Sequence, residues 1–213
     1  MKRDFSAVTF PEIFIVRVCE TVGEREGRQL GYLDSPISAK GIEQAQAAGR
    51  ALKRILGDRR SVCVEASPLG RAGHTSALLC VELGLNPGVI TVAAELVDYN
   101  LGAWQGLTNV EIDSRYPGER RSREKNKWGY VIPGGESYAD VSRRIEQWLA
   151  GRRRAQVTVA VTHRMVSRIL QGRYAGMGPE DTLRRTHQQG RVYRLREGRV
   201  EEIPCDAARN RAN

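Results

Sequence analysis

Apolar residues fall along this chain in two alternating rhythms. Short runs rich in β-branched residues, Ile13 to Val18, Val62 to Val64, Val89 to Val92 and Val157 to Thr162, predict strands buried on both faces. Between them apolar positions recur at helical spacing. Ile42, Ala45, Gly49, Leu52 and Leu56 form one such stripe, with Ser38 placed to cap it and Gly57-Asp58 to stop it. Ala72, Thr75, Leu78, Leu79 and Leu83 form a second that ends at Gly84. A third runs from Ser137 through Val141, Ile145, Trp148 and Leu149 to Gly151, and a fourth from Met165 to Tyr174. Arg191 to Leu195 and Val200 to Ile203, joined across Glu197-Gly198, predict a closing hairpin. The segment 116–136 is rich in Pro, Gly and charge and reads as an irregular, lid-like excursion over the sheet. The tail from Asp206 to Asn213 reads as frayed.

Strand alternating with helix predicts an α/β three-layer sandwich: a mostly parallel central sheet with helices on both faces. The length of 213 residues and a hydrophobic content of 40% suit one domain spanning 1–213 with its own core. No apolar run approaches the roughly 20 residues a membrane span needs. Lys2 and Arg3 open the chain as a signal peptide would, but Pro11 and Glu12 interrupt the apolar segment that should follow, so a cytoplasmic protein is expected. Cys19, Cys63, Cys80 and Cys205 show no C-x-x-C spacing, which points to free thiols rather than a zinc site or a disulfide framework. The net charge of +9 is carried by 29 arginines and 5 lysines, with clusters at Arg152-Arg153-Arg154 and at Arg120, Arg121, Arg123, Lys125 and Lys127. A solvated basic surface is the simpler reading of those clusters, an anionic partner the sharper one.

In a doubly wound sheet the ligand site lies beyond the carboxyl ends of the strands, and the motifs fall there. Arg17-Val18-Cys19-Glu20-Thr21, followed by Arg28, Gly31, Leu33-Asp34-Ser35-Pro36 and Gly41, is one block. Ser67-Pro68-Leu69-Gly70-Arg71-Ala72 with Thr75 is a second, and Asp98 to Gly106 with Gly102 and Trp104 a third. Pro133-Gly134-Gly135-Glu136-Ser137 and Val161-Thr162-His163 complete the set. Five ordered blocks together resemble the histidine phosphatase, or phosphoglycerate mutase-like, superfamily over about residues 13 to 175.

That resemblance implies a phosphoryl pocket formed by Arg17, Arg28, Arg71 and His163 as anion-binding residues, with Asp98 at the general acid. It implies no cofactor and no metal. It also places Val18 where the family has its nucleophilic histidine. A neutral imidazole can attack phosphorus near pH 7, whereas a valine has no lone pair. Cys19, Glu24 and Arg164 stand where the family usually has glycine, asparagine and glycine, so they are candidate ligand contacts in a remodelled pocket. Cys19 to Arg25 also has the C-x5-R spacing of cysteine phosphatases, but Glu20 and Glu24 would put carboxylates into a loop meant to cradle phosphate. His74 and His187 are expected to be structural or exposed, and Trp104 to pack its loop.

Three functions follow as expectations. The first is a phosphorylated or otherwise anionic, even zwitterionic, small molecule processed by altered, non-phosphohistidine chemistry with Asp98 and His163 as acid and base. The second is a catalytically silent pseudophosphatase with a binding or regulatory role. The third, a nucleic-acid binder acting through its arginine-rich surface, is disfavoured by the absence of aromatic residues interleaved with the basic ones. Neither a membrane nor nucleic acid is the expected partner, and a homodimer is compatible with the sequence.

Overall fold

The computed structural model describes residues 12–57, 62–152 and 157–205. Six strands make one sheet: β1 (Ile13–Arg17), β2 (Val62–Ala66), β3 (Ile90–Val92), β4 (Val157–Thr162), β5 (Arg191–Arg196) and β6 (Arg199–Pro204). Their order is β3-β2-β4-β1-β5-β6. β1 to β4 run parallel, while β5 and β6 pair antiparallel at one side, so the sheet is mostly parallel as expected. The helices are α1 (Val22–Arg25), α2 (Ala39–Leu56), α3 (Gly70–Leu83), α4 (Asn109–Arg115), α5 (Glu119–Lys125), α6 (Tyr138–Ala150), α7 (Arg164–Tyr174) and α8 (Pro179–Arg184).

Alternation along β1 shows why two helical layers are needed. Phe14 and Val16 join Leu52 of α2 and Leu79 of α3 in one core, whereas Ile13 and Ile15 join Ile145 and Trp148 of α6 and Ile169 of α7 in another. Successive side chains of a strand point to opposite faces, so a run that is apolar throughout must be covered twice.

The topology also fixes where a site can form. β1 and β4 are neighbours, in register from Ile13 opposite Thr158 to Arg17 opposite Thr162. The chain leaving β1 reaches α2 on one face, and the chain leaving β4 reaches α7 on the other. Two adjacent parallel strands whose exits part in this way open a crevice at their carboxyl ends.

Several boundaries match the apolar pattern. Ser38 caps α2 by accepting from the Gly41 amide, Gly84 ends α3 in the left-handed conformation, and Ser137 caps α6. Ile42 departs from the pattern and lies exposed, because the residues of α2 that face the core there are Gly41 and Ala45. The segment 116–136 is not irregular throughout: α5 occupies 119–125, with Glu119 in its first turn and Arg123 and Lys125 in its last, as the helix dipole favours. The tail 206–213 and Arg153 and Arg154 lie outside the described residues.

Candidate active site

The crevice is a cavity of about 510 Å³ lined by Arg17 and Val18 at the end of β1, Arg71 at the start of α3, Asp98, and His163 and Arg164 after β4. Arg28 lines it from the loop after α1; Arg120, Arg123 and Lys127 line it from the α5 region, and Arg168 from α7. Its walls carry eight positive and three negative side chains, the latter being Glu24, Asp98 and Glu124.

His163 is the one histidine of the three that lines this cavity. It is the N-terminal flanking residue of α7 and buried to 4% exposure. Its Nε2 shares a hydrogen bond of 2.8 Å with the Ser67 hydroxyl, and its Nδ1 lies 3.5 Å from Asp98 Oδ2. Burial first, then the charges of Arg71, Arg144 and Arg17, hold its proton affinity well below the ordinary histidine value, so the ring is neutral at pH 7. Burial pushes the Asp98 carboxyl up from the ordinary aspartate value, against the opposing pull of Arg71 and the Tyr99 amide. Ser67, His163 and Asp98 thus stand in the order of a hydroxyl, imidazole and carboxylate relay. Ser67, however, is 2% exposed and does not line the cavity, so it positions the ring rather than facing a substrate.

The position of Asp98 is built by two distant blocks. Arg144 of α6 donates through Nη2 to the Asp98 carbonyl at 3.0 Å and through Nε to Glu136 at 3.3 Å. Glu136 in turn accepts from the Asn100 amide at 2.8 Å, while its own amide donates to the Asn100 carbonyl at 3.0 Å. A Cβ at Gly102 would come within 2.2 Å of the Pro133 carbonyl oxygen, and Gly102 itself has φ +45°, so only glycine lets these two loops touch.

The two central arginines already have carboxylate partners. Arg71 donates through Nη2 to Asp98 Oδ2 at 3.0 Å and to the Gly31 carbonyl at 2.7 Å, and through Nη1 to the Leu33 carbonyl at 2.6 Å and to Asp34 at 3.3 Å. Arg17 donates through Nη2 to Glu24 at 2.6 Å and through Nη1 to the His187 carbonyl at 3.1 Å. Burial lowers the proton affinity of Arg17; Glu24 opposes that and Arg164 adds to it. Arg28 donates to the Gly106 carbonyl at 2.8 Å and pairs with Glu26 at 3.0 Å on the rim.

The remaining sequence candidates divide. Val18 faces the cavity at 5% exposure, its amide donating to the Thr162 carbonyl at 2.7 Å. Arg164 lines the cavity. Cys19 does not: it points into the protein at 3% exposure, and burial pushes its thiol up to about 12, which leaves no thiolate for the C-x5-R chemistry. His187 is buried and structural, His74 is exposed beside a separate surface hollow, and Trp104 is buried and packs its loop while reaching the cavity wall.

Sequence reasoning left the charge at 120–127 between a solvated surface and a site for an anionic partner, and Arg120, Arg123 and Lys127 line the cavity. It also missed Arg168, which follows Arg164 at i+4 and so shares its helix face. That spacing was the available signal.

The sequence profile of the histidine phosphatase superfamily (branch 1) matches residues 13–201. This chain belongs to that superfamily. Among its relatives, glucosyl-3-phosphoglycerate phosphatase of Mycobacterium tuberculosis is 39% identical over 118 residues, 55% of this chain and 49% of the relative. The chain therefore spans about half the length of that relative. Adenosylcobalamin/alpha-ribazole phosphatase of Escherichia coli is 28% identical over 172 residues, 79% of this chain and 81% of the relative. Among solved structures, a mycobacterial glucosyl-3-phosphoglycerate phosphatase in complex with VO3 superimposes with a TM-score of 0.72 at 25% identity, covering 93% of this chain and 100% of the other. A putative alpha-ribazole-5'-P phosphatase from Escherichia coli reaches 0.75 at 22% identity over 92% and 96% of the two chains; it shares the fold.

Proposed function

We propose that the cavity binds a phosphorylated or otherwise anionic small molecule and acts on it without a phosphohistidine, Asp98 serving as acid and His163 as base. The observation that carries this reading is the pairing of opposites at the crevice floor. Val18 fills the end of β1, where no nitrogen is available to attack, while a carboxyl raised by burial stands 3.5 Å from an imidazole kept neutral. Two groups whose environments push them toward protonated acid and unprotonated base are what proton transfer near neutral pH requires. The relatives named above are phosphatases of phosphorylated small molecules, which supports the ligand class. The basic side chains that line the cavity suit a small anion.

The test is a panel of phosphate esters with acid-quench trapping of phosphoenzyme. No phosphohistidine forms, turnover is slow, and Asp98→Asn lowers it by about 100-fold or more, the usual worth of a general acid. Fast hydrolysis through a trapped phosphohistidine would refute the reading. A second reading, a silent binding protein, is favoured by Glu24, whose carboxylate occupies Arg17. Tight binding without any turnover across the panel would establish it instead.

A further inference from the structure

Arg164 stands apart from the other cations of the cavity. Arg17, Arg28, Arg71, Arg120 and Lys127 each hold a carboxylate at 3.5 Å or less. The Arg164 side chain has no hydrogen bond or ion pair among the described residues, although Arg164 is exposed and lines the cavity. Its neighbours deepen the imbalance. Arg168 follows one helical turn later on α7, and Arg123 approaches from α5; the proton affinity of Arg168 is lowered by burial first and then by the charges of Arg164 and Arg123. Arg123 and Arg168 donate to uncharged groups, the Tyr138 hydroxyl and the Leu183 carbonyl, and each keeps a buried Nε–H without a partner. Among the described residues Arg123 has only the exposed carboxylate of Glu124, at 3.4 Å, as counter-charge.

The first amides of α7 add to this. His163 gives no side-chain cap, so the amides of Arg164, Met165 and Val166 lack intrahelical acceptors and present the positive end of the helix. The repulsion that Arg164 and Arg123 exert on Arg168, with an uncapped helix start beside the cavity, is a cost to the free protein that an anion would reduce.

We infer that Arg164, with Arg168 and Arg123, forms a second anion subsite in the cavity, so that the ligand carries two anionic groups, one toward Asp98 and His163 and one toward α7. This rests on the reading above that the cavity takes an anionic small molecule. It also gives a reason for arginine at position 164: a side chain long enough to face the cavity from the first residue of α7.

Calorimetric titration with propane-1,3-diol bisphosphate and with propyl phosphate, at one ionic strength, tests it. Wild type binds the bisphosphate at least about tenfold more tightly than the monophosphate, the worth of a modest charge-assisted contact. Arg164→Gln removes that advantage and leaves propyl phosphate within about twofold, and Arg164→Lys, which keeps the charge, restores part of it. Equal affinities for the two probes in wild type, or an equal loss of both in Arg164→Gln, overturn the second subsite while leaving the first reading intact. Failure of both probes to bind overturns both readings. Among the described residues the Arg164 side chain donates to no protein group, so its variants keep the fold, and unchanged thermal unfolding verifies this.

Discussion

Glu24 serves three partners with one carboxylate: it accepts from Arg17 at 2.6 Å, from Gln189 at 3.0 Å, and from the Thr21 amide in the capping box that starts α1. Thr21-x-x-Glu24 is a capping signature legible in the sequence, and it accounts for Glu24 without a ligand. The consequence is that Arg17, one of the three arginines expected to hold an anion, already has a carboxylate partner. The carbonyl of His187 accepts from Arg17, and its ring is bonded to Ser167 through Nδ1 and to the Arg191 carbonyl at 3.2 Å through Nε2. Burial lowers His187 to about 3, against an ordinary value of 6.5. A histidine depressed in the fold binds fewer protons than it does unfolded, so stability is full above pH 6.5 and is lost as pH falls from there toward 3. Between pH 6.5 and 5 this group alone removes about 2 kcal/mol. Urea unfolding at the two pH values should show that loss, and His187→Gln should flatten the dependence. The lowered His163 acts in the same direction, so some slope remains in the variant.

The helices show which parts of the fold could be read from the sequence. Stripes that bury a continuous face, those of α2, α3, α6 and α7, were legible because tertiary packing and helical period agree. α1, α4, α5 and α8 have four to seven residues each, too few for a period to emerge, and their evidence is in their ends. Thr108-x-x-Glu111 is a full capping box at the start of α4, and Pro179 sits in the first turn of α8. The orientation of the basic residues around α5 was hidden for the same reason: without the helix, nothing turned Arg123 toward the cavity. The capping box at Ser137 gives this scale its prediction. Ser137 is buried, accepts from the Asp140 amide at 3.2 Å and donates to its carboxylate at 2.6 Å. Ser137→Ala should cost about 1–2 kcal/mol, since it removes a buried cap and leaves the first turn of α6 unsatisfied. Because α6 carries Arg144, which holds the Asp98 carbonyl, a urea midpoint lowered by that amount should be accompanied by weaker propyl phosphate binding. An unchanged midpoint would show that the cap is dispensable.

Over the whole molecule, the parting of β1 and β4 opens one crevice that four of the five sequence blocks line, while the fifth, Pro133 to Ser137, braces Asp98 from behind through Glu136 and Arg144. Hidden from the sequence was how the cavity's charges pair: Asp98 and Asp34 on Arg71, Glu24 on Arg17, and none among the described residues on Arg164. That pairing decides what a histidine introduced at position 18 would do. If the residue at position 18 were all that mattered, Val18→His alone would give phosphatase activity. It should not, because a phosphoryl group entering at Arg17 must displace the Glu24 carboxylate, and Asp98 spends an oxygen on Arg71. The long Arg164 side chain also lines the space that a phosphate ester must enter. Cys19 is buried outside the cavity and is not an obstacle, so the change to glycine is unnecessary. The combination Val18→His, Glu24→Asn, Asp98→Glu and Arg164→Gly should therefore gain at least about 100-fold in p-nitrophenyl phosphate turnover over Val18→His, since general acid catalysis and an open phosphate site are regained together. Trapped phosphohistidine should appear in the combined variant and not in the single one. Family-like turnover by Val18→His alone would mean that the charge pairs yield readily to phosphate and that the cavity still fits its ancestral reaction.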